Sequence, residues 1–145
     1  RMLQIAGELT EGTVTWMTGL KTLETHIVPR ITAASEAVGR PNPRICVGVP
    51  IAVTDDVAAA KETAGQLFGR YGQLPSYRRM MDIEGAAGPA DMAIVGNETE
   101  VQNHLFALAN AGATDLLASI FPVGDDPEES SSRTLSLLKS LVGRI

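Results

Sequence analysis

The stretch that decides the fold is residues 44 to 53, "RICVGVPIAV", in which large branched residues alternate with small ones. Successive side chains of a strand point to opposite faces of its sheet. One face would therefore carry Ile45, Val47, Val49, Ile51 and Val53, and the other Cys46, Gly48, Pro50 and Ala52. A parallel sheet covered by helices on both faces normally needs bulk on both. The small face thus indicates room for a ligand or for large neighbours, which favours a barrel over an open doubly wound sheet.

The rest of the chain places helical patterns between strand patterns. Two further strands are predicted at residues 12–17 and 115–121, and apolar residues recur at helical spacing between the strands. Strands joined by helical crossovers run parallel, so the order predicts an α/β fold. Residues 71–95 do not fit a short connection and are interpreted as a helical insertion in a single domain, residues 1–145.

Prolines and capping residues predict where these elements bend and begin. Pro29 lies inside a helical pattern and predicts a kink or a break there, while Pro50 predicts a bulge or an edge in its strand. Thr54 or Asp55 is expected to cap the next helix. Asn97, followed three residues later by a glutamate, carries the capping-box signature of a helix start.

Composition excludes several classes of function. The 145 residues carry a net charge of -5 with no concentrated cationic face, which argues against a nucleic-acid partner. No apolar run approaches the roughly 20 residues of a membrane helix, so we expect a cytoplasmic protein with no membrane contact. Cys46 is expected to be a small buried residue, and His26 and His104 lack the neighbours of a metal site.

Four segments together carry a family resemblance: "RMLQIAGELTEGTVTWMTG" (1–19), "GRPNPRICVGVPIAVTDDVAAAKE" (39–62), "YGQLPSYRRMMDIEGAAGPADMAIVG" (71–96) and "ALANAGATDLLASIFP" (107–122). They resemble the C-terminal half of luciferase-like oxidoreductases that depend on the deazaflavin coenzyme F420. The resemblance implies a (β/α)8 TIM barrel of about 300 residues. This chain would then supply about strands six to eight with their helices.

The same resemblance implies an activity that this chain would not complete alone. Such enzymes transfer a hydride between F420 and a small organic substrate. FMN is the alternative cofactor, with monooxygenase chemistry, and a non-catalytic half-barrel or assembly module is the second class of function. Because the first five strands would be absent, we expect the chain alone to be inactive. Its start at Arg1 within a helical pattern suggests a piece of something longer, so the expected partners are the missing N-terminal half or a second copy in a homo-oligomer.

Candidate site residues follow from the C-terminal ends of the strands, where barrel enzymes place their sites. The expected cofactor-binding residues are Arg1, Trp16, Met17, Thr18 and Gly19, with Arg1 near the cofactor phosphate. The expected substrate-facing residues are Tyr71, Tyr77 and Phe121. Arg78 and Arg79 are interpreted as ordinary helix surface, and no residue is assigned a catalytic role.

The sequence leaves the orientation of Trp16 open. If Val14 faces the barrel interior, then so does Trp16, which would wall the cofactor or substrate pocket. If Thr13, Thr15 and Met17 face inward instead, the tryptophan packs outward against helices.

Overall fold

The fold is an α/β arrangement, seen in a computed structural model that describes residues 1–144. Residue 145, the last of the predicted domain, lies outside the described residues. The helices are α1 (Met2–Leu9), α2 (Leu20–Thr22), α3 (Val28–Ala37), α4 (Val57–Phe68), α5 (Pro75–Glu84), α6 (Glu98–Asn110) and α7 (Pro127–Leu141). A π-helical turn covers Leu23–Ile27, and 3-10 turns cover Gly69–Gln73 and Pro89–Met92. The strands are β1 (Gly12–Trp16), β2 (Arg44–Val53), β3 (Ile94–Gly96) and β4 (Asp115–Ile120).

Strand β2 is the centre of the sheet and pairs in parallel with every other strand of the described chain. Strand β1 pairs with residues 44–48 of β2, β3 with residues 51–53, and β4 with residues 46–51. The strand predicted at residues 44–53 is confirmed over its whole length. The short strand β3 was not predicted, because three residues carry no readable alternation.

The two faces of β2 differ as the sequence predicts. Its branched residues pack against α3, α6 and α7, forming the main core with side chains such as Ile31, Leu105 and Leu141. We call the opposite face, which carries the small residues of β2, the inner face. Large neighbours cover this inner face at its C-terminal end, whereas Val14 of β1, paired with Cys46, and Leu117 of β4, paired with Gly48, are 66% and 50% exposed. Helices therefore cover one face of the sheet, whereas part of the inner face is exposed.

Pro50 lies in a gap between two partners of β2. Strand β1 is paired as far as Gly48, and the pairing with β3 begins at Ile51. The missing N–H of the proline thus falls where neither strand needs it. The strand is central, and Pro50 is accommodated by this change of partner.

The second helical segment changes its hydrogen bonding just before Pro29 instead of breaking. The backbone stays helical from Leu20 to Ala37, and the π-helical turn Leu23–Ile27, in which the N–H of Val28 donates to the carbonyl oxygen of Leu23, joins α2 to α3 ahead of the proline. Helix α1 packs closely on α3 through Gly7. A Cβ atom at Gly7 would lie 2.5 Å from the carbonyl oxygen of Ile31.

The predicted cap of α4 is wrong by one or two residues. The side chain of Asp56 accepts the hydrogen bond from the backbone N–H of Ala59 at 3.0 Å, because the helix begins at Val57. Asp55 instead binds the guanidinium of Arg133 on α7. The capping box predicted at Asn97 is confirmed, with both reciprocal hydrogen bonds formed.

Candidate functional site

The orientation of Trp16 follows from the register of β1 on β2. Val14 pairs with Cys46, and Trp16 pairs with Gly48. Paired residues of neighbouring strands point to the same face of the sheet. Trp16 therefore lies on the inner face, and the alternative in which it packs against the outer helices is wrong. Gly48 provides the space, because a Cβ there would lie 3.1 Å from Cε3 of the indole.

Trp16 belongs to an aromatic cluster, which we define as Trp16, Phe68, Tyr71, Tyr77 and Phe121. The ring centroids of Phe68 and Tyr71 lie 6.1 and 6.0 Å from that of Trp16, both edge to face. Phe68 in turn contacts Phe121 at 5.8 Å, and Tyr71 contacts Tyr77 at 4.9 Å. These geometries are the favourable ones for aromatic pairs. The cluster joins the ends of β1 and β4 to the segment that follows α4.

One polar atom of the cluster lacks a partner. The indole Nε1 of Trp16 is buried, and no acceptor for its N–H exists within residues 1–144. A buried donor without an acceptor costs free energy, so such groups are rare in finished interiors. The atom is therefore an unused hydrogen-bond donor on the inner face.

The residues after Trp16 turn the chain sharply away from the sheet. Met17 has a φ of 53°, in the left-handed region that side chains other than glycine rarely adopt. Its N–H donates to the carbonyl oxygen of Gly48, and its side chain is buried with Met81 and Met92. Strained backbone of this kind persists only where the surroundings hold it, and it is often found at functional sites.

Glu84 fixes helix α5 to the turn that contains Thr18 and Gly19. Its carboxylate accepts hydrogen bonds from the backbone N–H of Thr22 and from the Thr22 hydroxyl, each at 2.8 Å, and from the N–H of Lys21 at 3.2 Å. The carboxylate thereby caps the start of α2, a role that local side chains do not fill. Sequence reasoning missed this contact, because nothing in the sequence links residues 62 positions apart.

Arg78 holds the glycine-rich turn after α5. Its guanidinium donates to the carbonyl oxygens of Ala86 and Ala87 at 2.7 and 2.8 Å, and to Asp82 at 2.8 Å. Asp91 closes the turn from the other side by accepting the N–H of Ala87. The interpretation of Arg78 as ordinary helix surface is therefore wrong, whereas Arg79 is exposed.

The structure brings most of the predicted site residues together, with two differences. Trp16, Met17, Tyr71 and Tyr77 share one cluster of packed side chains, and Thr18 and Gly19 follow directly. Phe121 reaches this cluster through Phe68 and is only 2% exposed. Arg1 lies elsewhere, in a groove between α1, α3 and α5. The cofactor and substrate roles of these residues stay predictions.

Phe68 is the member of the cluster that the sequence did not single out. It ends α4 and contacts both Trp16 and Phe121. Its place at the last position of a helix before a 3-10 turn gave no pattern that separates it from an ordinary core residue.

Neither a metal centre nor a membrane span is visible in the described part of the chain. Within residues 1–144, no three His, Cys, Asp or Glu side chains cluster in a way that suits a metal ion. Over the same residues, no helix has both the length and the apolar character needed to cross a bilayer. Cys46 is half-buried, and burial raises the pKa of its thiol.

The architecture matches several solved enzymes. An F420-dependent secondary alcohol dehydrogenase, solved with an F420-acetone adduct, is 14% identical with a TM-score of 0.66, over 96% of this chain and 45% of that one. The coenzyme F420 dependent tetrahydromethanopterin reductase of Methanopyrus kandleri is 18% identical with a TM-score of 0.60, over 93% and 47%. The oxygenating constituent of 3,6-diketocamphane monooxygenase from Pseudomonas putida, solved with FMN, is 22% identical with a TM-score of 0.60, over 94% and 43%.

These likenesses concern the fold, and the chain spans less than half of each of these three proteins. The predicted fold class, α/β and part of a (β/α)8 TIM barrel, is confirmed by the parallel sheet and by these matches. No curated protein matches the sequence. The family model described as luciferase-like monooxygenase matches residues 1–141. The chain therefore belongs to the luciferase-like monooxygenase family.

Proposed function

We propose that this chain forms part of an F420-dependent oxidoreductase that moves a hydride between the deazaflavin and a small organic substrate. The aromatic cluster on the inner face would border the cofactor and the substrate. Membership in the family supports the class of reaction, and two of the structural neighbours are F420-dependent by their descriptions. We include in the proposal that the enzyme acts in the cytoplasm.

The observation that carries the proposal is the inward orientation of Trp16 with its unused indole N–H. A planar heteroaromatic ring presents both an apolar face and acceptor atoms at its edge. The cluster offers the matching apolar surface. Nε1 is buried within the cluster, so it would donate to the ring after a neighbouring side chain moves aside. The residues present therefore fit a deazaflavin or flavin ring.

The chain's own residues would bind and orient the ring and exclude water. When bound, F420 supplies the hydride chemistry, which belongs to the cofactor rather than to the protein. Trp16 and Tyr71 would form one wall, with Tyr77 beside them toward the substrate. Glu84 and Arg78 would keep helix α5 and its turn in place over this wall, so that the pocket stays dry.

The remaining contacts would come from another polypeptide segment. The inner face is exposed at Val14 and Leu117, and both β1 and β4 have an unpaired edge within the described residues. We propose that the N-terminal half of a longer protein, or a second copy of this chain, covers this face. The chain alone would then hold the cofactor more weakly than the completed barrel.

An FMN-dependent monooxygenase is the second candidate. One structural neighbour is described as a Baeyer-Villiger monooxygenase in complex with FMN, and its sequence identity to this chain, 22%, exceeds that of the two F420-dependent neighbours. The aromatic cluster suits either ring system, so the choice of cofactor is left to experiment.

The test is a titration with F420 and, separately, with FMN, following the emission of Trp16, the single tryptophan of the chain. The proposal expects saturable quenching by F420 and weaker quenching by FMN. The Trp16→Leu variant is then titrated by following the fluorescence of the cofactor, with an expected loss of affinity of about tenfold, since aromatic contacts contribute about 1 kcal/mol.

Phe106→Leu is the matched control, because Phe106 packs on the outer core and should leave cofactor affinity unchanged. Stronger quenching by FMN would favour the monooxygenase alternative. Absence of quenching by both cofactors would contradict a cofactor role for the inner face of this chain.

A further inference from the structure

A groove between α1, α3 and α5 collects positive charge. Its lining is separate from the aromatic cluster, although α5 contributes residues to both, and it has a volume of about 750 Å³. Its cationic lining is Arg1 from α1, His26 from the π-helical turn, Arg30 from α3 and Arg79 from α5. Three segments distant in sequence, residues 1–8, 26–37 and 76–80, thus bring basic side chains to one cavity.

None of the three arginines of the groove forms an ion pair within residues 1–144. The ion pairs found within residues 1–144 use Arg44, Lys61, Arg78 and Arg133. Glu8 is the carboxylate that lines the groove, and it accepts a hydrogen bond from Gln4 at 2.7 Å. Three guanidinium groups without an ion pair in the described range thus surround one cavity, in a chain of net charge -5 that has enough acidic residues to neutralise them.

His26 reports the electrostatic potential of the groove. Burial lowers the pKa of its imidazole, and the charges of Arg30 and Arg79 lower it further. Among the described residues, no carboxylate raises the pKa of His26 in opposition to them. The positive charges of Arg30 and Arg79 therefore both act on the His26 imidazole, and a bound anion would reduce the repulsion among these groups.

We infer that this groove is a binding site for a phosphate-bearing ligand, held by Arg30 and Arg79 with His26 between them. The site goes beyond the proposed oxidoreductase function, and it does not depend on a cofactor at the inner face. Guanidinium groups favour phosphate because their planar fork donates two parallel hydrogen bonds to it. The volume and the number of cations suit a ligand with more than one negative charge.

The experiment is a titration with inorganic pyrophosphate at constant ionic strength, followed by NMR of the histidine ring protons. The chain has two histidines, so His104 on α6 serves as an internal control. The His26 signals should shift and saturate while those of His104 stay in place. The pKa of His26 should rise in the bound state, because the anion offsets the charges of Arg30 and Arg79.

Substitutions identify the binding groups. Arg30→Gln and Arg79→Gln should each weaken pyrophosphate binding by about threefold to tenfold, the effect of one surface charge-assisted hydrogen bond. Arg70→Gln is the matched control, since Arg70 is also exposed and forms no ion pair within the described chain but lies outside the groove. Circular dichroism checks that each variant stays folded.

Three outcomes would overturn the inference. The first is parallel, unsaturating shifts of both histidines, which indicate general screening. The second is unchanged affinity in both Arg30→Gln and Arg79→Gln. The third is tighter binding of citrate than of pyrophosphate, which would assign the groove to carboxylates instead of phosphates.

Discussion

At the scale of single residues, the contact between Gly48 and Trp16 links the sequence pattern to the proposed function. The small residues of β2 leave space on the inner face, and the indole of Trp16 fills that space against Gly48. The absence of a side chain at Gly48 of β2 therefore allows Trp16 of the neighbouring strand β1 to lie against it.

Replacing Gly48 tests this link. In Gly48→Ala, the new Cβ would lie 2.4 Å from the carbonyl oxygen of Thr15, a backbone atom that cannot rotate away. Strands β1 and β2 must separate locally, so we expect a loss of about 1–3 kcal/mol in the free energy of unfolding. Urea denaturation followed by Trp16 emission measures the loss.

Gly69→Ala is the control for this substitution. A Cβ at Gly69 meets no atom within 4 Å, and its φ of -51° suits alanine. Stability should change by less than about 0.5 kcal/mol. Equal stability of Gly48→Ala and the wild type would show that the indole is not held against this glycine.

At the scale of elements, the close contact of α1 with α3 depends on Gly7. Alanine favours a helix over glycine by about 1 kcal/mol, but the added methyl group would lie 2.7 Å from the Cβ of Ala34 as well as against the backbone of α3. We expect the steric effect to dominate, so that Gly7→Ala lowers the free energy of unfolding by about 1–2 kcal/mol.

Gly65→Ala in α4 gives the opposite sign and serves as the control. Its new Cβ would have a single ordinary contact, 3.8 Å from Ala90. Thermal denaturation should show Gly65→Ala more stable than the wild type by about 0.5–1 kcal/mol. A stabilising effect of both alanines would contradict the observed packing of α1.

The capping of α2 by Glu84 makes a second prediction for an element. Glu84→Ala removes three hydrogen bonds and leaves the first amides of α2 without an acceptor, which should cost about 1–3 kcal/mol. Because α5 is also released, limited proteolysis should become faster between residues 69 and 92. Glu62→Ala is the control, since Glu62 is exposed on α4; equal cleavage of both variants would contradict the role of Glu84.

Comparison of the elements with their sequences shows which features local patterns can predict. Alternation along β2 and the box at Asn97 are local patterns, and the structure reproduces both. The sequence leaves the orientation of Trp16 open, because alternation in β1 only puts Val14 and Trp16 on one face and the two threonines on the other; the register on β2 shows which face is the inner one. The roles of Glu84 and Arg78 depend on contacts with loops, which no periodicity encodes.

At the scale of the whole molecule, an ion-pair network ties α7 to the start of α6 and to the loop after β2. Arg133 binds Glu98 at 2.6 Å and Asp55 at 2.9 Å, and its hydrogen bonds lower the pKa of Glu98 to about 2 from 4.5. A carboxylate with a lowered pKa stabilises the fold above its ordinary pKa. This contribution should therefore be complete at neutral pH and disappear as the pH falls from 4.5 toward 2.

Arg133→Met measures that contribution. Because both side chains are partly exposed, 34% and 47%, we expect a difference from the wild type of only about 1 kcal/mol at pH 7. The difference should shrink to zero near pH 2 in parallel urea titrations. A difference that does not depend on pH would indicate that Arg133 acts through its packing instead of its charge.

The open part of the inner face belongs to the scale of the whole molecule, because no described element covers it. Val14 is 66% exposed on the edge strand β1, and an exposed edge next to apolar side chains favours pairing with another chain. Sedimentation velocity should show association of the chain with a second copy, or with an added N-terminal half. Val14→Lys should abolish this association, because the lysine charge would be buried at the contact between the chains.

Val38→Lys is the control, at a site 51% exposed near the end of α3, and this variant should associate like the wild type. A wild-type chain that stays monomeric in both settings would contradict completion of the barrel through this face.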